Sequence, residues 1–517
     1  MISRRKILKG GAAAAVIVGV PFLNIRRSFA QSAVTFDYFI SPVGDDNNAG
    51  TLASPWSITA LNSKQSTYRG KNIGIIGDVA GAQTPITHGT VGGVQTTLAT
   101  LINSNSNQPA LNIDGGTAGS PTYIASCNSS GVYTARWAII DAGTPSGDGM
   151  LMGQNSESAQ QVPHPGNITF DGLTIRNFSY AAIQIANPGG SILTGCTVKN
   201  CEIYNGSCST SSNNPGAIRY WNVYGMLITN NKIHDLGTRG GGGSPVWGLS
   251  AIMAYGNSPT TVYAAVITNN TTYNCNSLLQ KDQCSDFANC SYNYFDHGNF
   301  GSCANTDGGI GQGAMVAQQP APGTTSVFHH NICLGCLWLY PQSGTNWGIG
   351  TYQIYNNTFY GTPNYSSFEV MGVATGFGAN PAAPPSGAAA VQFYNNLIYA
   401  TNGYSSQSLY VATSAFHIAN ATFNTNVYGN GMSFASVDYA SVPLASWKSA
   451  TGCDQNSVLI SSTPFTGTPT AVTPSSFAPN SLAVIGGVTC GAIDGTGLVG
   501  CDFAGAPTPA APSLKVT

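Results

Sequence analysis

One short phrase of apolar and polar positions recurs along the chain: an apolar residue, two variable positions, an Asn, one variable position and a second apolar residue. It reads Ile228-Thr229-Asn230-Asn231-Lys232-Ile233, Ile267-Thr268-Asn269-Asn270, Cys290-Ser291-Tyr292-Asn293-Tyr294-Phe295, Phe328-His329-His330-Asn331-Ile332, Ile354-Tyr355-Asn356-Asn357-Thr358-Phe359 and Phe393-Tyr394-Asn395-Asn396-Leu397-Ile398. Weaker copies centre on Asp171, Asn200 and Asn426. Successive centres lie 29, 31, 39, 23, 38, 26, 39 and 30 residues apart, so the shortest step sets the unit and the longer ones add loops. Each unit holds short alternating apolar runs separated by Gly, Asn or Ser, which is strand and turn chemistry. The nearest helical candidate in the body of the chain, around Thr97 to Ile102, is too short to count.

Repeats of this kind are solved by a coil of parallel strands in which each turn buries its apolar side chains against the next. The spacing therefore predicts an all-β chain, a parallel β-helix, with Asn stacked at one corner, in the αL region, hydrogen-bonded to the Asn above and below. Eight steps at about 4.8 Å give roughly 40 Å of solenoid between Asp171 and Asn426. A propeller would need four strands per unit and a period near 40 to 45; steps of 23 and 26 argue against it.

Aligning the strand before each Asn turn separates an inward from an outward face, because strand side chains alternate. Ile183, Ile218, Ile252, Leu278, Met315 and Phe368 form the inward stack. The outward columns are Gln184, Arg219, Met253, Leu279, Val316, Glu369 and Ala186, Trp221, Tyr255, Lys281, Gln318, Met371. Trp221 and Tyr255 beside Lys281 make a candidate carbohydrate groove, with Gln318 and Glu369 as further substrate-binding positions; rings offer faces to sugars and polar groups orient them. Ordinary surface positions of a coil would carry scattered aromatics as well.

Composition narrows the function. Only 7% of the 517 residues are charged, against about 25% in an ordinary soluble domain, yet mean hydropathy is only +0.02. No apolar run reaches the roughly 20 residues of a bilayer helix, so no membrane span is expected. A net charge of -2, with no Lys/Arg cluster after the N-terminus, leaves no electrostatic footprint for nucleic acid. Ser3-Arg4-Arg5-Lys6-Ile7-Leu8-Lys9, a mildly apolar stretch from Gly10 to Leu23 and the small-x-small pattern Ser28-Phe29-Ala30 resemble a twin-arginine export signal. That resemblance implies a periplasmic or secreted protein that folds before it crosses the inner membrane. Thirteen cysteines suit an oxidising compartment, and Cys196/Cys201, Cys284/Cys290 and Cys490/Cys501 are close enough in sequence to bridge. Cys333-Leu334-Gly335-Cys336 is read as structural, since no second CxxC or paired His accompanies it.

The expected organisation is a signal peptide over 1–30, an N-terminal cap and first turns over 31–165, the regular coil over 166–445, a closing segment over 446–505 and a flexible tail over 506–517. Tyr38-Phe39-Ile40-Ser41-Pro42-Val43-Gly44-Asp45-Asp46 with Gly50-Thr51-Leu52-Ala53-Ser54-Pro55-Trp56 resembles the opening of right-handed parallel β-helix proteins of the pectate lyase-like superfamily. So does Gly115 to Ile124 followed by Ala138-Ile139-Ile140-Asp141, and Trp447 to Ser457 resembles the segment that closes such coils.

The resemblance implies a carbohydrate-active protein. Lyases of that superfamily remove the proton beside a uronate carboxylate with a Lys or Arg base, while Ca²⁺ or basic residues neutralise the carboxylate. Carried onto this chain, Lys281 is the candidate base, flanked by Arg219, with His234, Arg239 and His297 as acid or substrate-binding candidates. No cofactor is required; Ca²⁺ would need carboxylates such as Asp282, Asp286 and Asp296 on one face. A polysaccharide is the expected partner, and a monomer the expected state. The same scaffold admits a glycoside hydrolase, whose two carboxylates would come largely from Asp282, Asp286, Asp296 or Asp307, since only Glu157, Glu202 and Glu369 are Glu. It also admits a non-catalytic carbohydrate-binding or surface protein.

Overall fold

The computed structural model describes residues 34–477, apart from 105–108, 146–148, 156–161, 188–190, 209–214, 239–248, 257–262, 297–312, 341–349, 362–367, 374–390, 401–406, 411–420, 470–473 and some single positions and pairs. The unit Thr35–Thr517 is built on three long parallel sheets of twelve, eleven and nine strands. One turn shows the rule: Ala181–Ala186 lies in the nine-stranded sheet, Cys196–Lys199 in the twelve-stranded sheet and Glu202–Tyr204 in the eleven-stranded sheet, before Gly216–Trp221 returns to the first. Each strand pairs in parallel with its counterpart one turn on. The chain is thus a parallel β-helix, right-handed as parallel crossovers are. From Ile168–Asp171 to Ala421–Asn424 the twelve-stranded sheet takes the eight expected steps.

The repeated phrase spans the corner between two sheets. Its first apolar residue builds the column Phe170, Val198, Ile228, Ile267, Cys290, Phe328, Ile354, Phe393 and Phe423. Its second builds Ile175, Ile203, Ile233, Thr272, Phe295, Cys333, Phe359, Ile398 and Tyr428 on the next sheet. Every one of these side chains is buried. Burying each large apolar side chain is worth about 1.5–3 kcal/mol, and a one-residue slip would turn a column outward. Alternation therefore holds the register.

Two adjacent residues divide the work at the corner. The first takes the left-handed conformation: Asn230, Asn269, Tyr292, His330, Asn356, Asn395 and Thr425 all have φ between 51° and 57°. The second, the Asn of the phrase, is buried and carries the ladder, so the expected union of both roles in one Asn is corrected. Asn231 Nδ2 donates to Asn270 Oδ1 at 3.0 Å, and Asn270, Asn293, Asn331, Asn357 and Asn396 each donate onward to the next at 2.9–3.3 Å. The same Oδ1 also accepts the backbone N–H of the Asn one turn earlier. Only a side chain with a donor and an acceptor on one short stem does this inside a coil.

Short helices appear where the repeat stops. Leu98–Ser104 is helical although its run looked too short, because Leu98 and Ile102, one turn apart, bury against the first turns. At the far end Pro443 precedes the helix Leu444–Thr451, and Gly452 closes it in the left-handed conformation. That helix buries Leu444 and Trp447. No helix among the described residues is long and apolar enough to cross a membrane.

Cys127, Cys196, Cys201, Cys275, Cys290, Cys333 and Cys453 are buried free thiols. The expected Cys196–Cys201 bridge is therefore absent, and Cys290 is free; Cys284, Cys490 and Cys501 lie outside the described residues. Cys196 and Cys290 fill interior positions of the apolar core, which explains why each packs as a small hydrophobe.

Candidate functional site

The outer face of the nine-stranded sheet brings a cation, an amide and aromatic rings together. Gln184, Arg219 and Met253 are paired in register, and Ala186, Trp221 and Tyr255 form the next column. Gly153 precedes Gln184, where an added Cβ would lie 1.8 Å from the Gln184 carbonyl oxygen; only glycine lets the two strands meet there. Arg219 donates from Nη1 to Gln184 Oε1 at 2.7 Å. Its guanidinium carbon lies 4.9 Å from the Tyr255 ring centre, 5.4 Å from Tyr180 and 5.5 Å from Trp221. These contacts hold a cation that is only 6% exposed. Arg219 Nε is buried and has no hydrogen-bond partner among the described residues.

The two rings turn one face toward each other instead of both facing outward. Trp221 and Tyr255 stack on each other with centres 5.0 Å apart and planes 28° apart. Successive turns of the coil rise by one strand spacing, close to the stacking distance of two rings, so aromatic columns satisfy themselves.

Lys281 is not in this groove. Its strand pairs one residue out of the expected frame: Ile252 faces Leu279, Ala254 faces Lys281 and Tyr255 faces Asp282. Lys281 therefore follows Tyr220 and Ala254 in an interior column, fully buried, with Nζ 3.3 Å from Asp286 Oδ1. The sequence frame fails because Leu278 and Leu279 are adjacent apolar residues and either satisfies the inward column. Asp282 takes the register position after Tyr255, and Gln318 stands further along near Tyr340. Glu369 leaves the groove altogether: Phe368–Glu369 pairs with Gln407 and Ser408 in a separate four-stranded sheet, and Cys336–Tyr340 takes the turn that had been given to it. Arg239 and His297 lie outside the described residues.

His234 does not overhang the groove but faces outward from the eleven-stranded sheet. It stacks between Tyr204 at 5.1 Å and Tyr273 at 4.6 Å, its register neighbours. Nδ1 lies 2.8 Å from Asp235 Oδ2 and Nε2 3.2 Å from Glu202 Oε1. Lys232 Nζ donates to the same Glu202 oxygen at 2.7 Å. Burial works against the Glu202 charge, but Lys232 and His234 outweigh it and hold the carboxyl below its usual range. Asp235 is likewise held low against burial by Asn274 and His234. Sequence reading missed Tyr204, Tyr273 and Glu202. A signal existed: Tyr204, His234, Tyr273 and Asp296 each follow the buried corner residue by three.

The acidic residues do not assemble. Asp286 sits inside, with its oxygens 3.3 and 3.2 Å from Ala321 N and accepting from Thr324 Oγ1 at 3.0 Å. Burial raises its pKa above the ordinary carboxylate value, against the pull of Lys281 and these donors. Asp296 belongs to the His234 column. Asp286 and Asp296 thus do not fit one Ca²⁺ site, and no group of three His, Cys, Asp or Glu among the described residues could hold a metal ion.

No protein-family model and no curated protein matches the sequence. Among solved structures the chain is similar to a complex of XylC with xylose, at 12% identity over 78% of this chain and 86% of that one, with a TM-score of 0.35. It is also similar to pectate lyase Pel9A, at 14% identity over 75% of this chain and 78% of that one, with a TM-score of 0.39.

Proposed function

We propose that this is an exported, carbohydrate-active β-helix protein that grips an anionic polysaccharide on the outer face of its nine-stranded sheet, with Arg219 meeting a uronate carboxylate. One observation carries this reading: a guanidinium caged by Tyr180, Trp221 and Tyr255 keeps a buried Nε–H without an acceptor among the described residues. A buried donor left unpaired costs about 1–3 kcal/mol, and an incoming carboxylate would remove that cost with a charge-assisted bond. Gln184 fixes the guanidinium plane from the other side, so the site is oriented before ligand arrives.

β-Elimination is the reaction this arrangement favours, because neutralising the uronate carboxylate makes its neighbouring proton easier to remove. Arg219 serves that part. Lys281, inside the coil, does not serve as the base. A glycosidase would need two carboxylates across the scissile bond; Asp286 is inside the coil and Asp296 stands in the His234 column, so among the described candidates Asp282 alone takes a register position at the groove. Export by the twin-arginine route, which carries folded chains, accords with interior thiols buried before oxidation.

The test is to mix the purified protein with polygalacturonate and with alginate and follow binding, ultraviolet absorbance of unsaturated ends and reducing ends. Binding lost in Arg219→Gln, with rising absorbance in wild type, is the expected result. Saturated reducing ends would make it a hydrolase, and binding without turnover a binding protein. Equal binding by wild type and Arg219→Gln, or none by either, overturns the assignment of this face.

A further inference from the structure

Among the described residues, Lys281 and Asp286 form the one ion pair with both side chains buried, at 0% and 2% exposure. Lys281 has alanines, Ala254 and Ala317, at both flanking register positions. Its Nζ lies 3.3 Å from Asp286 Oδ1 and 5.6 Å from the Tyr352 ring centre. The Ala321 N–H and the Thr324 hydroxyl are aimed at the Asp286 carboxyl. Tyr220, in the same interior column, keeps a buried hydroxyl without a hydrogen-bond partner among the described residues. The groove has no use for this cluster.

Two charges in such surroundings each carry a desolvation cost of several kcal/mol. Moving one proton from the ammonium to the carboxylate removes both charges. It also makes the pair reactive, because a neutral amine is a nucleophile and a neutral acid an electrophile, whereas their ions are neither. Burial already drives Asp286 toward its neutral form. Nζ lies 3.3 Å from Oδ1, which is one bond away from the Cγ it would attack, so the amine and the carboxyl are held side by side. Ala321 N–H and Thr324 Oγ1–H stand where negative charge would develop on the carboxyl oxygens during attack.

We propose that Lys281 and Asp286 condense into a side-chain amide. The Nζ–Cγ bond forms and the bond from Cγ to the protonated oxygen breaks. One proton leaves Nζ and joins that hydroxyl, so a single water departs and nothing is oxidised or reduced. The amide ties the end of Ser277–Gln283 to the chain just before Phe287–Ser291, fixing the crossover between two sheets in the middle of the coil. It also replaces a costly buried ion pair by a neutral group.

The test is mass spectrometry of the purified wild-type protein, reduced and denatured. Chymotryptic peptide Gln280–Phe287 is expected one water lighter than its sequence. It should resist trypsin at Lys281 and survive hydroxylamine, which would open a cyclic imide formed by Asp286 alone. Lys281→Met should restore the full mass, and Thr324→Val should leave a mixture. A wild-type peptide of full mass, cut normally at Lys281, overturns the proposal, as does a water loss that persists in Lys281→Met.

Discussion

Asn426 donates its Nδ2 to Asp454 Oδ1 at 3.1 Å, so a carboxylate ends the ladder of amides that runs through the coil. Asp454 also accepts from Tyr428 Oη at 3.0 Å, Trp447 Nε1 at 3.1 Å and Ser457 Oγ at 2.6 Å. It thereby ties the last turn to the closing helix. Asp454→Ala leaves these donors buried and unpaired and should cost on the order of 3 kcal/mol, read as a lower urea midpoint.

Asp454 also sets a pH dependence. Burial raises its folded-state pKa above 3.8, with Ser457, Asn426, Tyr428 and Trp447 offsetting part of the rise. The folded chain then holds this proton more readily than the unfolded chain, so the group's contribution to stability grows as pH falls from the raised value toward 3.8 and is lost as pH rises through it. Asp454→Asn should flatten that limb in denaturation curves taken across mildly acidic pH.

Glu202 and Asp235 act in the opposite sense. Their folded-state values lie below 4.5 and 3.8, so the stability they add is present above those values and is lost as pH falls through the depressed ones. His234→Phe keeps a ring between Tyr204 and Tyr273 but removes both ring nitrogens that meet Asp235 and Glu202. It should cost less than about 2 kcal/mol, since both carboxylates are partly in water, and weaken the acid-side loss of stability, seen in melts below pH of about 5.

Within the ladder, Asn331 donates to Asn357 and accepts from Asn293, and its Nδ2 also meets the Cys290 carbonyl. Asn331→Ala should lower stability by about 2–4 kcal/mol. The change in urea midpoint should exceed that of His330→Asn, which retains a residue suited to the left-handed corner.

Interior thiols should be silent in the native protein. Burial pushes Cys196 and Cys201 up to about 12, and the thiolate is the reactive form. A thiol reagent should label neither until denaturant is added; labelling at rest would mean that the coil opens locally.

The columns were legible because their rule is local. An apolar residue, a corner pair and a second apolar residue recur, and Ile228, Ile267, Phe328, Ile354 and Phe393 land where that phrase puts them. Arg219, Trp221 and Tyr255 were placed on one face for the same reason. The failures sit where the phrase loses its punctuation. Leu278-Leu279 satisfies either frame, and choosing wrongly moved Lys281 from the interior to the groove. Tyr180 was missed because a Tyr with φ of 60° at a corner carries no sequence mark. Ring faces were taken as open because a sequence does not show that neighbouring turns stack their aromatics.

By itself the sequence determined the coil, its eight central steps, its Asn corner and its apolar columns, since each follows from the alternation of side chains and the need to bury one face per strand. Tertiary structure alone decided which cation meets the groove, which carboxylates share a face and which amine meets an acid in the core. Those are matters of register between turns some 23 to 39 residues apart, where a slip of one residue exchanges inside for outside while leaving the local pattern nearly unchanged.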